Sequence, residues 1–259
     1  MSIKFGPAGL GGANEAVLNL EKFKKIGLSA CEVAFTYGVY LKKNDAERIG
    51  LAAKKMGIEL SVHAPYWINL NSKEKEKIEA SKKRILDSCE IAHYMKAKRV
   101  VFHSGYYGKD APEESFQNIK KCILEIKDKA RENKWDVEIC PEIMGKKNVF
   151  GSIDEIERLK KETGCGFCID FAHILARYGR YDFESIKKSF PEKKWHCHFS
   201  GITYGPKGEK HHKKTPEEEW KKLFSFLKNL SKEIVIINES PSPVRDSAEG
   251  MNIWKKIKE

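Results

Sequence analysis

Short apolar runs alternate with longer amphipathic stretches along the whole chain. Each apolar run is rich in β-branched residues and stops at a glycine, proline or polar turn, which is typical of a buried strand. Each stretch between the runs carries apolar residues at helical spacing. Eight runs are predicted to be strands: Ile3–Gly6, Ala30–Phe35, Leu60–His63, Arg99–His103, Asp136–Glu142, Gly166–Asp170, Trp195–Phe199 and Glu233–Glu239.

Eight amphipathic stretches are predicted to be helices: Asn14–Ile26, Asn44–Met56, Ser72–Met95, Pro112–Asn133, Ile153–Glu162, Phe183–Phe190, Pro216–Leu230 and Val244–Lys258. Thr215 and Ser152 each begin a capping box, and Gly57 follows a helical run where a left-handed cap is expected. Eight β–α units indicate an α/β fold, a single (β/α)₈ barrel that spans residues 1–259. The alternative is a doubly wound open sheet, whose glycine-rich first turn has a spacing that Gly6–Gly9 does not match.

The charge balance adds a candidate partner class. The chain has 48 Lys and Arg against 37 Asp and Glu, a net charge of +11. This excess favours a polyanionic partner, although a Lys/Glu-rich surface of a heat-adapted protein would produce it too. The chain shows no transmembrane-length apolar window and no signal peptide at its first residues, so a cytoplasmic protein is expected. The seven cysteines are expected to be buried small hydrophobes, and the lone pair Cys165 and Cys168 does not indicate a zinc or redox site.

Chemistry-bearing side chains collect where the predicted strands end. In a barrel the carboxyl ends of all strands meet at one face, where barrel enzymes hold their active sites. Seven of the eight histidines fall on these ends or in the loop after the seventh strand, and only His93 lies elsewhere. The set comprises His63, His103, Glu142, Asp170, His173, His196, His198, Glu209, His211, His212 and Glu239.

Such a set predicts divalent metal ions. Four carboxylates gathered in a partly dry pocket would repel one another without cations. Imidazole and carboxylate together form a zinc-type ligand set that manganese or iron would also accept. Four carboxylates carry −4 and three divalent ions +6, which leaves +2 for a hydroxide and a phosphate oxygen. Two ions would be nearly neutralised, so the charge count favours three.

Several segments together resemble the endonuclease IV family of apurinic/apyrimidinic endonucleases, zinc-dependent TIM barrel enzymes of the xylose isomerase-like superfamily. Nearly the whole chain takes part in this resemblance. The segments that carry it are Gly6–Ala13, Val62–Leu70, Val101–Gly105, Cys140–Glu142, Cys168–His173, Trp195–Ser200, Gly208–His212 and Asn238-Glu239.

The resemblance implies three metal positions. His63, His103 and Glu142 would hold the first ion. Glu142 would bridge to the second ion, which Asp170, His196 and Glu239 complete. The third ion would be held by His173, Glu209 and His211. Glu142 and Glu239 would be the catalytic carboxylates, and His198 and His212 would lie behind the ligands or contact phosphate.

The implied activity is hydrolysis of the DNA phosphodiester 5′ to an abasic site, which leaves a 3′-hydroxyl and a 5′-deoxyribose phosphate. The implied partner is duplex DNA, bound by a monomer through Tyr66, Trp67, Lys207, Lys210 and His212. Two features depart from the family pattern. Glu209 stands where the family has Asp, and the loop Thr36–Lys42 lacks the arginine that the family inserts into DNA.

Two other functions compete with the endonuclease. A xylose isomerase-like sugar isomerase or epimerase would use Glu142, Asp170, His196 and Glu239 around one Mn²⁺ or Mg²⁺. A catalytically silent binder of DNA lesions is the other alternative, and the intact ligand set argues against it. The five further ligand-type residues and the basic balance favour the endonuclease over the isomerase.

Overall fold

Eight parallel strands surround a central axis in the computed structural model, which describes residues 1–258. A hairpin of two further strands, β8 and β9, follows the seventh barrel strand. The strands are β1 (Ser2–Pro7), β2 (Ala30–Ala34), β3 (Glu59–His63), β4 (Arg99–Phe102), β5 (Glu138–Pro141), β6 (Ile169–Asp170), β7 (Lys194–Phe199), β8 (Gly201–Gly205), β9 (Gly208–Lys213) and β10 (Glu233–Asn238).

Helices cover the outside of the strands. They are α1 (Ala16–Lys25), α2 (Lys43–Met56), α3 (Lys75–Met95), α4 (Pro112–Glu132), α5 (Ile153–Thr163), α6 (Phe171–Tyr178), α7 (Phe183–Ser189), α8 (Glu217–Leu227) and α9 (Pro243–Lys258). Helix α4 shows why they form: proline occupies its first turn, and Phe116, Ile119, Ile123 and Ile126 lie on one buried face. The helical faces and the outward side chains of the strands make up the main apolar core.

The ring of strands closes through two short contacts. Strands β2-β3-β4-β5 form one parallel sheet and β1-β10-β7-β6 form another. A parallel bridge between Ala8 and Glu32 joins β1 to β2, and a second between Glu142 and Cys168 joins β5 to β6. The predicted (β/α)₈ barrel is therefore confirmed, and the open sheet is excluded.

Alternation along β2 sorts side chains between the core and the barrel interior. Cys31, Val33 and Phe35 pack in the main core, whereas Ala30 packs in a separate interior cluster with Val235. Glu32 shares the parity of Ala30 and lines the cavity at the barrel mouth. The interior is therefore apolar in one layer and polar above it.

Of the predicted helix caps, some are present and one is not. The capping box at Ser152 is present, and Gly57 has the left-handed φ of 68° that its cap position requires. The capping box at Thr215 is absent, because Thr215 is buried and its hydroxyl accepts hydrogen bonds from Gly201 N and the side chain of Asn238. All seven cysteines are free and buried, as expected for small hydrophobes.

Candidate metal centre

The candidate site is built from side chains at the carboxyl ends of the barrel strands. His63 is the last residue of β3 and Asp170 the last of β6, while His103, Glu142 and Glu239 directly follow β4, β5 and β10. Because parallel strands end at one face of the barrel, these five side chains converge over its interior. The predicted gathering at the mouth is what the structure shows.

Glu142 is fully buried at the middle of this gathering. Its Oε2 atom lies 3.2 Å from Nε2 of His63 and 3.1 Å from Nε2 of His103. Its Oε1 atom lies 3.1 Å from Nδ1 of His173 and 3.3 Å from Nδ1 of His198. Oε2 therefore faces His63 and His103, and Oε1 faces His198 and the protonated Nδ1 of His173, so the two oxygens of Glu142 belong to two different ligand groups.

Two histidines are oriented by backbone carbonyls. Nδ1 of His63 lies 2.8 Å from the carbonyl oxygen of Ala64, and Nδ1 of His173 lies 3.0 Å from that of Ile143. A carbonyl oxygen can only accept a hydrogen bond, so in both rings Nδ1 must carry the proton. In the neutral imidazoles Nε2 is then left with a free lone pair, as a metal ligand requires.

The hairpin of β8 and β9 brings a further group to the mouth. Glu209 Oε2 lies 3.4 Å from Nε2 of His173, and one ligand atom each from His173, Glu209 and His212 lies within 4.8 Å of the others. Nδ1 of His212 lies 2.6 Å from the hydroxyl of Ser200, which itself donates to the carbonyl of Gly201. The Ser200 hydroxyl therefore accepts a hydrogen bond from Nδ1 of His212, which leaves the lone pair of Nε2 of His212 free.

The structure places His211, predicted to be a ligand, away from the other candidate ligands, and it brings His212, predicted to lie behind the ligands or to contact phosphate, beside them. The ladder pairs Tyr204 with Glu209 but Thr203 with His211, so Lys210 is the extra residue of a β-bulge. A bulge inverts the alternation of faces along a strand. Glu209 and His212 consequently share the face towards the barrel, and His211 is exposed on the other face.

The second correction concerns β7, where His198 replaces His196 in the predicted ligand set. Both rings point into the barrel, but His198 is one layer nearer its mouth. Nδ1 of His198 lies 3.3 Å from Glu142 and 3.4 Å from Oε1 of Glu239, and the cluster at this position is Glu142, Asp170, His198 and Glu239. His196 is instead held below it, with Nε2 3.0 Å from Oε2 of Glu32.

Glu32 is the one site carboxylate that the sequence analysis missed. It is fully buried on β2, within reach of both histidines of β7 and of Ser61. The available signal is a carboxylate inside an apolar run, since a buried charge needs a specific partner.

The electrostatics of the group call for a cation. Burial disfavours ionisation of Glu142, yet the surrounding histidines, His198 first, hold the pKa of Glu142 well below its ordinary value. Burial, opposed by His173 and reinforced by Glu142, raises the pKa of Asp170 to about 7. Oδ1 of Asp170 caps α6, and its buried Oδ2 lies 3.3 Å from Nδ1 of His173 but accepts no hydrogen bond. An unsatisfied buried carboxylate oxygen facing other carboxylates fits a metal ligand.

Three groups at the mouth thus have the composition of metal sites: His63, His103 and Glu142; Glu142, Asp170, His198 and Glu239; and His173, Glu209 and His212. The first two share Glu142. A cavity of about 270 Å³ opens beside them and is lined in part by Glu32, His63, His212 and Glu239. A deeper group, Cys168 with His196 and His198, also lies within ligand distance.

Aromatic and basic residues surround this opening. Tyr66 and Trp67 are 57% and 65% exposed, so neither ring packs beneath the rim. The ring of Tyr66 lies 5.7 Å from that of His103. Lys207 and Lys210 are exposed on the hairpin. Arg177 donates hydrogen bonds to the carbonyls of Lys146 and Val149 and stabilises the loop after β5.

No helix within residues 1–258 has the length and apolarity needed to cross a membrane.

The sequence profile described as xylose isomerase-like TIM barrel matches residues 20–257. An uncharacterised protein of Methanocaldococcus jannaschii is 33% identical over 98% of this chain and 97% of its own length. A probable endonuclease 4 of Mycoplasmopsis synoviae is 29% identical, and its alignment covers 71% of this chain but 66% of that protein.

Solved structures share the fold across almost the full chain. Endonuclease IV from Thermus thermophilus has a TM-score of 0.75 and 18% identity, with 99% of this chain and 98% of that chain covered. A D-tagatose 3-epimerase-like protein has a TM-score of 0.76 and 20% identity, with the same two coverages. Likeness at this level of identity concerns the fold alone.

Proposed function

This chain belongs to the xylose isomerase-like TIM barrel family, and we propose that within it the protein is a metal-dependent apurinic/apyrimidinic endonuclease. It would cleave the DNA phosphodiester 5′ to an abasic site in base excision repair and leave a 3′-hydroxyl and a 5′-deoxyribose phosphate. Its cofactors would be three divalent ions, with Zn²⁺ the first choice and Mn²⁺ or Fe²⁺ as alternatives.

One observation carries the proposal: three ligand groups, two of them joined by Glu142, occur side by side at the barrel mouth. A sugar epimerase with one ion needs only the group of Glu142, Asp170, His198 and Glu239. A one-ion epimerase does not explain why further ligand-type side chains surround that group. These side chains are His63, His103, His173, Glu209 and His212. The probable endonuclease 4 among the relatives supports the same choice.

Divalent ions at these groups would polarise phosphate oxygens and make water a nucleophile at neutral pH. The protein's part is to present the ligands in fixed positions. Glu142 directs Oε2 to His63 and His103 and Oε1 to His198, and its burial keeps water from competing for those oxygens. Asp170 is held by the first turn of α6, which leaves one oxygen facing the group. Ser200 orients the ring of His212.

The rim supplies the DNA contacts of the proposal. Tyr66 and Trp67 are exposed beside the mouth, where aromatic rings could stack on bases or fill the space of a missing base. Lys207 and Lys210 would meet backbone phosphates, which position DNA without reading its sequence. Because contacts to phosphates are screened by salt, the affinity for duplex DNA should fall steeply as the salt concentration rises. His212, which was predicted to contact DNA, is now assigned to the third ligand group.

The test is incubation of the protein with a duplex that contains one tetrahydrofuran abasic analogue. We expect a single nick on the 5′ side of the analogue, no nick after removal of metal by a strong chelator, and recovery on addition of Zn²⁺, Mn²⁺ or Co²⁺. Robust cleavage by fully demetallated protein would contradict a metal-dependent hydrolase.

The second candidate is a sugar isomerase or epimerase with one Mn²⁺ or Mg²⁺. The observation that favours it is the fold, since the D-tagatose 3-epimerase-like protein superposes as well as the endonuclease does. Interconversion of ketohexose epimers without any incision of abasic DNA would establish this function instead.

A further inference from the structure

The histidines of the centre differ in what holds their second ring nitrogen. His63 and His173 are held by neutral backbone carbonyls, and His212 is held by a neutral hydroxyl. His198 is the exception, because the group beyond it is the carboxylate of Glu32. We propose that Glu32 is a positioning residue that turns His198 towards the ion shared with Glu142, Asp170 and Glu239, and that it sets the affinity for that ion. This inference rests on the metal centre of the proposed function.

The two oxygens of Glu32 face the two histidines of β7. Oε2 forms a hydrogen bond of 3.0 Å with Nε2 of His196, whereas Oε1 lies 2.9 Å from Nε2 of His198 in an ion-pair contact that lacks hydrogen-bond geometry. The hydroxyl of Ser61 donates to Oε2 at 2.7 Å. Ser61 and Glu32 lie opposite each other in the register of β2 and β3, so the backbone ladder itself fixes this contact.

The orientation of His198 follows from this arrangement. An unprotonated Nε2 would place its lone pair 2.9 Å from a carboxylate oxygen of Glu32, which is repulsive, so the proton of the His198 ring belongs on Nε2. With Nε2 protonated, the nitrogen left to bind a metal is Nδ1, which already faces Glu142 and Glu239. A carboxylate behind a ligand histidine also raises the basicity of the ring.

Burial at this depth argues against an incidental charge. Glu32 is fully buried, and a buried carboxylate is costly unless its oxygens are matched by donors. An apolar residue would be less costly at an interior position of β2, where the neighbouring Ala30 packs on Val235. The carboxylate is explained if its role is to orient two imidazoles, of which only His198 reaches the ligand group.

The test is the variant Glu32→Gln, which keeps the size of the side chain but has one acceptor oxygen instead of two. One imidazole then faces an amide NH₂ group instead of a carboxylate oxygen, so the tautomer of His198 is no longer defined. We expect one of the three bound ions to bind about 10–100-fold more weakly, as is typical when a group behind a metal ligand is removed. The readouts are competition of Zn²⁺ with a chelator and the visible absorption of the Co²⁺-loaded protein.

Glu59→Gln is the matched control. Glu59 lies on the neighbouring strand at the far end of the barrel, where it pairs with Lys4 and Arg99. Its loss should lower the unfolding temperature of metal-free protein without changing the affinity for any ion. If Glu32 had only a structural role, Glu32→Gln would likewise lower the unfolding temperature and leave the affinity for every ion unchanged. Ser61→Ala, which removes only the hydroxyl that steadies Glu32, should weaken the same ion by a smaller factor.

The outcomes separate this inference from the proposed function. Unchanged affinities and an unchanged Co²⁺ spectrum in Glu32→Gln would overturn the role of Glu32 and leave the endonuclease proposal standing. If that variant fails to fold, wild-type affinity in Ser61→Ala would overturn the inference equally. Weakened binding of one ion in a protein that does not cleave abasic DNA would support the role of Glu32 and contradict the endonuclease.

Discussion

The two ends of the barrel handle charge in opposite ways. At the end where the strands begin, carboxylates have cationic partners: Lys4 lies 2.7 Å from Glu59, and Arg99 lies 3.1 Å from Glu138. At the mouth, Glu142 and Asp170 are fully buried and surrounded by histidines. The cavity at the first end has about 720 Å³ and the one at the mouth about 270 Å³.

This difference shows that the volume of a cavity does not locate the chemistry. The larger cavity is lined by residues such as Lys98 and Arg99, whose charges are already satisfied by Asp136, Glu138 and Glu59. The smaller one adjoins carboxylates that no lysine or arginine neutralises among the described ion pairs. Buried carboxylates surrounded only by histidines, which are themselves metal ligands when neutral, mark a site for a cation, whereas carboxylates paired with lysine or arginine mark a stable surface.

Two glutamates of the β5 segment provide the strongest contrast between the ends. Glu142→Ala should lower the rate of incision by about 10³-fold or more, because it removes a carboxylate shared by two ligand groups. Glu138→Ala, at the start of the strand, should leave the rate unchanged and alter only the stability. Single-turnover incision of the abasic duplex measures both. Near-normal turnover in Glu142→Ala would exclude it from the centre.

The next contrast is between the two layers of β7. His198→Ala should remove the imidazole of the central ligand group and lower the incision rate by about 10²-fold. His196→Ala should have the smaller effect, because His196 contacts Glu32 rather than the ligand group. The rates of the two variants and their metal contents provide the comparison. A larger loss in His196→Ala would restore the original assignment of this residue.

A smaller difference is expected between neighbouring histidines of the hairpin. His212→Ala should lower the ion content by one and reduce the rate, since the bulge at Lys210 places His212 beside Glu209. His211→Ala should match the wild type in ion content, because its ring is exposed on the opposite face. Elemental analysis of the two purified variants tests this. The reverse result would mean that the strand is paired without the bulge.

The smallest effect is expected at the rim. Tyr66→Ala combined with Trp67→Ala should weaken binding to abasic duplex by about 1–3 kcal/mol per lost stacking contact. The unfolding temperature should stay near that of the wild type, because both rings are exposed. Fluorescence anisotropy with labelled duplex and a thermal melt give the two numbers. Unchanged affinity would remove these rings from the DNA interface.

Most of the centre follows from one rule applied to the sequence: side chains at the carboxyl ends of barrel strands meet at one face. His63, His103, Glu142, Asp170 and Glu239 are where an alternating β–α pattern places them. The rule works because the ends of parallel strands must meet, whatever the details of the packing. The same periodicity gave the eight barrel strands, with differences of a few residues at their ends.

Three features could not be obtained in this way. His196 and His198 share one face of β7, and the sequence does not show which of the two lies level with Glu142, Asp170 and Glu239. The bulge at Lys210 depends on pairing between β8 and β9, where only a loop over the mouth was expected. The role of Glu32 depends on its contacts with β7, where its partner His196 lies 164 positions away in the chain. Depth, bulges and long-range partners are properties of the packed structure rather than of a local pattern.

The number of metal ions held by the purified protein tests the three-ion centre most directly. Elemental analysis after preparation without chelators should approach three divalent ions per chain, because three ligand groups meet at the mouth. The double variant His173→Ala with His212→Ala should lower the count to about two and remove most of the incision activity. A wild-type count of one, filled by Mn²⁺ or Mg²⁺ and unchanged in the double variant, would contradict the three-ion centre and favour a sugar isomerase.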